Sequence, residues 1–312
     1  MKLMRLAASL CIGAMIIMLF GCNNDINLDL NIKNGDKYLF RAMIERNIIL
    51  DIENREIQTR EKSDTTFNLK VLNVDKDKSS TIEYEYNSIH IAIESGEKII
   101  EYDTKNSDKS SPLLVLYKSI VGKGFTVKLD NKGQVIEIKG VDDMLNSVLE
   151  KFPGTEEEKK SVMKSLSENF GEEAVKSMII QSLGYFPQKE IKNNVNWETK
   201  YDMKMALPTT VINKLTLIDS DNKGLKVDNA GTVNIDTKET PIDFMGVKAN
   251  LNLTGEIKGT LSIDKLSGLL KDENVTQNLQ GSIEVIAGGS ITQSIKAPVK
   301  IEANSSYTMM KR

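Results

Sequence analysis

The sequence contains a single histidine, His90, and this limits the catalytic chemistry open to the chain. A Ser-His-Asp triad or a histidine-based metal cage would have to use that one side chain. His90 lies in an alternating run, with Ile89, Ile91 and Ile93 on the opposite face. The pattern predicts that the apolar face changes sides near Ser88, as a β-bulge would cause, which leaves His90 on the solvent side. We therefore predict a strand histidine without a catalytic role.

Other stretches that could do chemistry fit structural roles better. Residues 219–224 (DSDNKG) begin like a calcium loop, but Lys223 stands at a ligand position and Ala230 stands where the bidentate glutamate belongs. Residues 122–124 (GKG) lack the longer frame of a phosphate-binding loop. No nucleophile stands at a recognisable spacing from a base. We predict that the chain is not an enzyme and uses no metal or other cofactor.

Cys22 has the clearest chemical context. A short basic region precedes an apolar stretch over residues 6–20, which is shorter than the ~20 residues of a membrane-spanning helix and typical of a secretory signal. The stretch ends in Leu-Phe-Gly before Cys22 and resembles the bacterial lipobox. The resemblance implies a signal peptide over residues 1–21 and acylation of the Cys22 thiol, for example with palmitate. An ordinary signal peptide and an uncleaved N-terminal helix are the alternatives.

Composition supports an anchored, folded protein. The chain has 312 residues, 40% of them apolar. Cys11 would leave with the signal peptide, so that Cys22 would be the only remaining cysteine and no intrachain disulfide could form. The net charge of −3 argues against a nucleic-acid partner. We expect a protein anchored to the outer face of the cytoplasmic membrane through Cys22, with a lipid or an envelope protein as a further partner.

Alternation of apolar and polar residues predicts strands in the first part of the chain. The Asn34-Gly35 pair predicts a hairpin between residues 26–32 and 37–44. A short helix is predicted over 112–121 and a hairpin over 125–139. Further strands are predicted near 47–58, 65–74, 80–94 and 97–103.

Residues 141–184 are predicted to be helical because their apolar residues recur at helical spacing. Pro153 and Gly154 end the first helix, and Thr155 with Glu158 predicts a capping box for the second. The chain is thus divided into an N-terminal β region, a helical segment and a C-terminal β region that form one integrated unit. The boundaries are 22–140, 141–184 and 185–312.

The C-terminal region shows the cleanest alternation and supplies the candidate binding surface. One face of its best strand is apolar, with glycines at which so long a strand could bend. We predict an α+β fold: a strongly curved, mostly antiparallel, half-barrel-like sheet with the helical segment packed on the apolar face. Division of this sheet into two halves is left open. The candidate ligand-facing residues are Leu251, Leu253, Gly255, Ile257, Gly259 and Leu261.

Three stretches resemble a family of uncharacterised bacterial lipoproteins. They are residues 28–38 (LDLNIKNGDKY), 101–104 (EYDT) and 121–135 (VGKGFTVKLDNKGQV). The resemblance implies secretion and anchoring but assigns no catalytic residue. The layout is also similar, at fold level only, to half-barrel lipoprotein carriers of bacterial envelopes.

Two hypotheses for function follow from the sequence. The first is a structural or partner-binding envelope lipoprotein with a filled core. The alternative is a binding or carrier protein that holds a lipid or another apolar ligand on the concave face of the sheet. A cavity on that face would distinguish the two.

Overall fold

The structure is a computed structural model that describes most of the chain after residue 27. The described ranges are 28–106, 112–150, 152–187, 196–204, 207–244, 247–287 and 292–312. The predicted signal peptide and Cys22 lie outside them. No helix among these residues is both long and apolar enough to cross a membrane.

Thirteen strands and four helices make up the described structure. The strands are β1 (Lys37–Ile52), β2 (Arg55–Val74), β3 (Ser80–Ser95), β4 (Lys98–Asp103), β5 (Gly124–Leu129), β6 (Val135–Lys139), β7 (Asn196–Lys204), β8 (Pro208–Ser220), β9 (Gly224–Asp236), β10 (Ile242–Phe244), β11 (Val247–Asp264), β12 (Leu270–Val285) and β13 (Ile295–Lys311). The helices are α1 (Pro112–Ile120), α2 (Val141–Leu149), α3 (Glu156–Phe170) and α4 (Glu172–Leu183).

The strands form one open, curved, antiparallel sheet. Its order is β6-β5-β3-β2-β1-β13-β12-β11-β9-β8-β7, with β4 beside β3 and β10 beside β11. The half-barrel-like prediction is consistent with this sheet. The α+β class is not: the fold is mostly β, because the predicted helical segment supplies only three short helices. The sheet is also continuous rather than divided into two halves.

The helices lie on the apolar face of the sheet and cover part of it. Helix α4 contacts both β6 and β7, the two ends of the strand order. The predicted capping box is present at the start of α3, where Glu158 N–H donates to Thr155 Oγ1 and the Glu158 carboxylate accepts from Thr155 N–H. The helices thus form a cover that reaches from one edge of the sheet towards the other.

Two distinct cores lie on the apolar face. The helix-covered core contains buried residues of the helices and of strands from both ends of the strand order. The sheet-only core contains twelve buried residues, and all of them come from β8, β9, β11, β12 and β13. Helical cover is therefore incomplete over the C-terminal strands.

The predicted hairpin at Asn34-Gly35 is wrong, although the turn itself is present. Residues 28–32 are not a strand. The N–H of Leu30 donates to the Asn131 carbonyl at 2.8 Å, and the N–H of Asn31 donates to the Ser267 carbonyl at 2.8 Å. The segment therefore bonds to two separate turns instead of pairing with β1.

The predicted strand over 47–58 is also wrong, because it spans the turn between β1 and β2. Glu53 and Asn54 both have positive φ, 53° and 63°, which is the geometry of a type I′ hairpin turn. The turn lacks the usual glycine, so its sequence gave no strong turn signal. The strands predicted over 65–74, 80–94 and 97–103 match parts of β2, β3 and β4.

Gly255 and Gly259 lie where β11 follows the curvature of the sheet. A Cβ atom at either position would collide with a backbone carbonyl of β12, that of Asn278 or Asn274 respectively. Side chains are thus excluded where the two strands approach each other. Close approach of β12 is thus what requires glycine at these two positions, and the predicted bend of the strand stays a prediction.

Candidate functional site

The apolar side of the sheet contains a cavity of about 370 Å³ at the border between the two cores. Strands β1, β7, β8, β9, β11, β12 and β13 contribute to its lining, together with the C-terminal end of α3, Gln181 of α4 and the two residues that follow α4. The volume falls at the lower end of the range for small-molecule pockets. One small ligand with a single apolar chain or ring system matches this volume better than a lipid with several chains.

Most of the wall towards the sheet-only core is apolar. Alternate positions of successive strands point inwards, and aliphatic residues occupy them. The wall contains Val211, Val233, Ile235, Ile257, Leu279 and Ile301.

The six candidate ligand-facing residues all lie on the apolar phase of β11, but they do not share one environment. Ile257 and Leu261 line the cavity. Leu251 and Leu253 are buried in the sheet-only core. Gly255 faces β12, and Gly259 lines a groove on the opposite side of the sheet.

Glu273 is a buried acid in the cavity wall. It lies on β12, where Leu261 of β11 and Tyr307 of β13 flank it in register. Its side chain faces the cavity, and its Oε2 atom is buried without a hydrogen-bond partner. Because burial disfavours the charged form, the pKa of Glu273 is raised to about 8. The carboxyl group is therefore mostly protonated at neutral pH.

A short hydrogen-bonded series of polar side chains crosses the neighbouring wall. Asn229 Nδ2 donates to Asn213 Oδ1 at 3.0 Å, and Asn213 Nδ2 donates to Thr199 Oγ1 at 3.4 Å. All three residues are buried. The series ends at Asn229 Oδ1, a buried acceptor to which no group of the described residues donates.

Helix α4 connects to this wall through Gln181. The hydroxyl of Tyr307 donates to Gln181 Oε1 at 3.1 Å. Burial raises the pKa of Tyr307 to about 12, so this phenol is a neutral donor at physiological pH. The helix is therefore tied to Tyr307, the residue of β13 that pairs with Glu273.

The remaining charged groups of the lining lie nearer to solvent. Arg46 Nη1 is 3.5 Å from Glu61 Oε2, and both side chains are partly exposed. Glu168 is at the end of α3. The ionisable groups that line the cavity besides Glu273 are Arg46, Glu168, Tyr185, Tyr201 and Tyr307.

The sequence analysis missed the polar members of this wall. Glu273 has the same strand phase as Val275 and Leu279, and Asn229 has the same phase as Val227 and Val233. A polar residue in the apolar phase of a strand is the signal that could have identified them. Curvature of the sheet brings β9, β12 and α4 to the same cavity. The sequence of a single strand does not indicate this curvature.

The β-bulge predicted near Ser88 is present, and it turns His90 to the side of the sheet opposite Ile89. Phe67 pairs with Tyr86 and Thr66 with Ser88, so the register skips one residue of β3, as a bulge requires. His90 Nε2 lies 3.2 Å from Glu101 Oε1, away from the cavity. In the part of the chain that the structure describes, no group of three His, Cys, Asp or Glu residues could hold a metal ion.

The Asp-rich stretch at 219–224 forms a turn, as the sequence predicts. Asp221 Oδ1 accepts from the N–H groups of Lys223 and Gly224, each at 2.7 Å. The same bonds lower the pKa of Asp221. The carboxylate is thus occupied by its own turn.

Comparison with known proteins identifies one family. The model of DUF6263, described as a family of unknown function, matches residues 77–270. No match is found among curated proteins.

Several solved structures are similar to the chain at low identity. Lipovitellin, from a study of lipid–protein interactions, has 11% identity and a TM-score of 0.40 over 89% of this chain, which spans 25% of the lipovitellin chain. An outer membrane channel from Pseudomonas putida F1 has 6% identity and a TM-score of 0.22, covering 90% of this chain and 98% of that one. The translocator domain of the autotransporter NalP from Neisseria meningitidis has 5% identity and a TM-score of 0.20, with 89% and 90% covered. TM-scores below 0.5 do not establish a shared fold.

Proposed function

This chain belongs to DUF6263, a family of unknown function, and from that premise we propose that it is an envelope lipoprotein that binds an apolar or amphiphilic ligand in its cavity. The ligand would lie between the C-terminal strands and helix α4. Acylation of Cys22 would keep the protein at the outer face of the membrane.

The observation that carries the proposal is the cavity of about 370 Å³ on the apolar side of the sheet. Packed interiors contain few voids larger than a water molecule. A structural protein with a filled core would have no use for a space of this size. The cavity therefore favours the carrier hypothesis over the hypothesis of a filled core.

Native mass spectrometry of residues 23–312, with organic extraction of bound material, tests the proposal. This chain contains every element that the structure describes. We expect a stoichiometric apolar adduct. A bare mass, together with no uptake of the neutral dye 1-N-phenylnaphthylamine, would contradict a binding role.

A matched pair of variants on β13 links any adduct to the cavity. Ala303 is buried and lines the cavity, whereas Asn304 is exposed on the other face of the same strand. Ala303→Phe should reduce ligand occupancy at least ten-fold because the ring enters the cavity. Asn304→Phe should leave occupancy unchanged. Equal occupancy in both variants would place the ligand elsewhere.

Membrane anchoring needs a test of its own. The basic start, the apolar stretch over 6–20 and the Leu-Phe-Gly-Cys ending support acylation of Cys22. Cys22→Ala should move the protein from the membrane fraction to the soluble fraction. Unchanged mass and unchanged membrane retention would contradict the lipoprotein proposal.

A second candidate function is the binding of an envelope protein at the edge strand β4. Ile99 and Ile100 on this strand are 70% and 45% exposed, and exposed apolar residues on an edge strand favour association. A photo-crosslinking residue at position 99 should give a discrete adduct in cells, and one at Thr276 on the outer face should not. No adduct at position 99 would eliminate this candidate.

A further inference from the structure

We propose that the cavity selects a neutral amphiphile whose head group carries hydroxyl or carboxamide hydrogens, held by Glu273 and Asn229. This inference rests on the proposed function and specifies the chemical class of the ligand. It follows from two buried polar atoms in the wall of the cavity that have no hydrogen-bond partner among the described residues.

The first of these atoms is Oε2 of Glu273. The residue is 7% exposed, and none of the described residues forms a hydrogen bond with its Oε2. Burial is the cause of its raised pKa, and no cation of the described residues opposes that rise. A buried polar group without a partner costs about 1–3 kcal/mol, so a ligand that donates to or accepts from this carboxyl would recover free energy.

The second atom is Oδ1 of Asn229. The Nδ2 group of this side chain is already engaged with Asn213, which fixes the direction of the amide and leaves the oxygen unpaired. This oxygen can only accept a hydrogen bond. The head group must therefore supply a hydrogen, as a hydroxyl or a carboxamide does and a carboxylate does not.

Strand register brings these two groups within reach of one head group. Asn229 pairs with Gly259, and Gly259 pairs with Val275, two residues from Glu273 on β12. The spacing of strands and residues places the two Cα atoms about 12 Å apart on the concave side. Both side chains line the same cavity and shorten this gap. A head group with two or three polar atoms can bridge the remainder.

The apolar side chains of the cavity wall determine where the apolar part of the ligand lies. Beyond Val275 the inward positions of β12 include Leu279 and Ile283, both in the sheet-only core. The facing strands add Val233 and Ile257. A single chain or ring system can extend along these side chains while the head group stays beside Glu273.

Charge disfavours the two ionised alternatives. Burial keeps Glu273 mostly neutral near pH 7, so an anionic head group would meet no buried cation to balance it. Arg46 lines the cavity but is paired with Glu61 near the solvent. A cationic head group would have to ionise Glu273 and desolvate both charges, a cost that the attraction between them often fails to repay.

Three ligands with the same ten-carbon chain test this selection. They are 1-monodecanoylglycerol, decanoate and decylamine, each used to displace 1-N-phenylnaphthylamine from residues 23–312 at pH 7. We expect 1-monodecanoylglycerol to bind at least ten-fold more tightly than either charged ligand. Equal or tighter binding of decanoate or decylamine would overturn the inference.

Variants of Glu273 separate the head-group contact from folding. Glu273→Leu should weaken binding of 1-monodecanoylglycerol at least ten-fold and leave binding of the apolar dye unchanged. Glu273→Gln, which keeps a neutral donor and acceptor, should stay within about three-fold of the parent. Thr276→Leu, on the exposed face of the same strand, is the control. An unaffected Glu273→Leu variant would contradict a role of Glu273 in binding.

An infrared difference spectrum distinguishes direct contact with the ligand from a purely structural role of Glu273. The carbonyl stretch of the protonated Glu273 carboxyl should shift when 1-monodecanoylglycerol binds, and the shift should be absent in Glu273→Gln. If the dye itself fails to bind to the parent protein, the proposed function fails. If the dye binds but the three ligands do not differ, only the head-group inference fails.

Discussion

The helix-covered core and the sheet-only core use the same strand pattern but are filled in different ways. In the helix-covered core, aromatic rings occupy the inward positions: Phe67 lies 4.5 Å from Tyr86 and Tyr84 lies 5.6 Å from Phe125, between ring centroids. The buried residues of the sheet-only core are all aliphatic. Large rings fill the first core, whereas a cavity remains where the second core, with its smaller side chains, meets the helices. Both cores have the same alternation of apolar and polar residues, so alternation does not show where a ligand can bind. The volume of the inward-pointing side chains decides where a curved sheet leaves space for one.

The largest expected effect concerns pH and comes from Glu273, in the wall of the cavity at the border between the two cores. Glu273 has a pKa of about 8 in the folded protein and an ordinary value near 4.5 when unfolded. Since the folded state holds the extra proton, stability is full below pH 4.5 and falls as the pH rises to 8, by roughly 4–5 kcal/mol. Urea unfolding of the parent protein and Glu273→Gln across this range should show the slope in the parent only.

The ionisable groups of the helix-covered core should not contribute in that range. Burial raises the pKa of Tyr84 and Tyr86 above 10, so both remain neutral throughout. Groups that face Glu273 in the cavity are Arg46, Glu168, Tyr185, Tyr201 and Tyr307. If the free energy of unfolding of Glu273→Gln falls with pH as steeply as that of the parent protein, another group causes the effect. The pH dependence would then not distinguish the cavity wall from the helix-covered core.

Truncation of core side chains should show a second difference. Phe67→Ala removes a ring that contacts Phe40, Tyr84 and Tyr86 and should lower the free energy of unfolding by about 4 kcal/mol. Leu279→Ala should cost about 2 kcal/mol, because Leu279 already faces the cavity and loses fewer contacts. Equal losses in urea unfolding would mean that the cavity is closed in solution.

The cap of α3 tests whether helical cover matters to the sheet-only core. Thr155→Ala removes the capping box and should cost about 1 kcal/mol in urea unfolding. Thr155→Ser, which keeps the side-chain oxygen, is the control. Occupancy of the cavity should be unchanged, since Thr155 lies at the far end of α3 from the lining residue Glu168. A parallel loss of ligand would show that the cover and the cavity are coupled.

The smallest effect is expected at His90, on the outer face of the sheet. His90→Ala should change the free energy of unfolding by less than about 0.5 kcal/mol, because partly exposed ion pairs such as that with Glu101 contribute little. Ligand binding should be unaffected. A loss of binding without a loss of stability would give His90 a function that its position does not suggest.

Much of the fold could be predicted because its signals are local. Alternation identified the long strand β11 and the β character of the C-terminal region, and the sequence Thr155 to Glu158 identified the start of α3. The hairpin between β1 and β2 was missed because its turn residues, Glu53 and Asn54, adopt positive φ without a glycine. Residues 28–32 were misassigned because their hydrogen-bond partners are distant in sequence.

The candidate site could be predicted only in part. The apolar phase of β11 was clear from the sequence and includes Ile257 and Leu261, which line the cavity. Glu273 and Asn229 were missed, although both break the apolar phase of their strands. Their meeting depends on the curvature of the sheet and on the position of α4, which arise from packing between remote segments.

The segment over residues 28–32 has a mechanical consequence. Leu30 and Asn31 donate to carbonyls of two turns, at Asn131 and Ser267, and Lys132 Nζ lies 2.6 Å from Asp29 Oδ1. A force applied at the start of this segment would be shared by these contacts, which reach the turn after β5 and the turn after β11. Tension at the N-terminal end of the described chain would thus be carried by strands from both ends of the strand order.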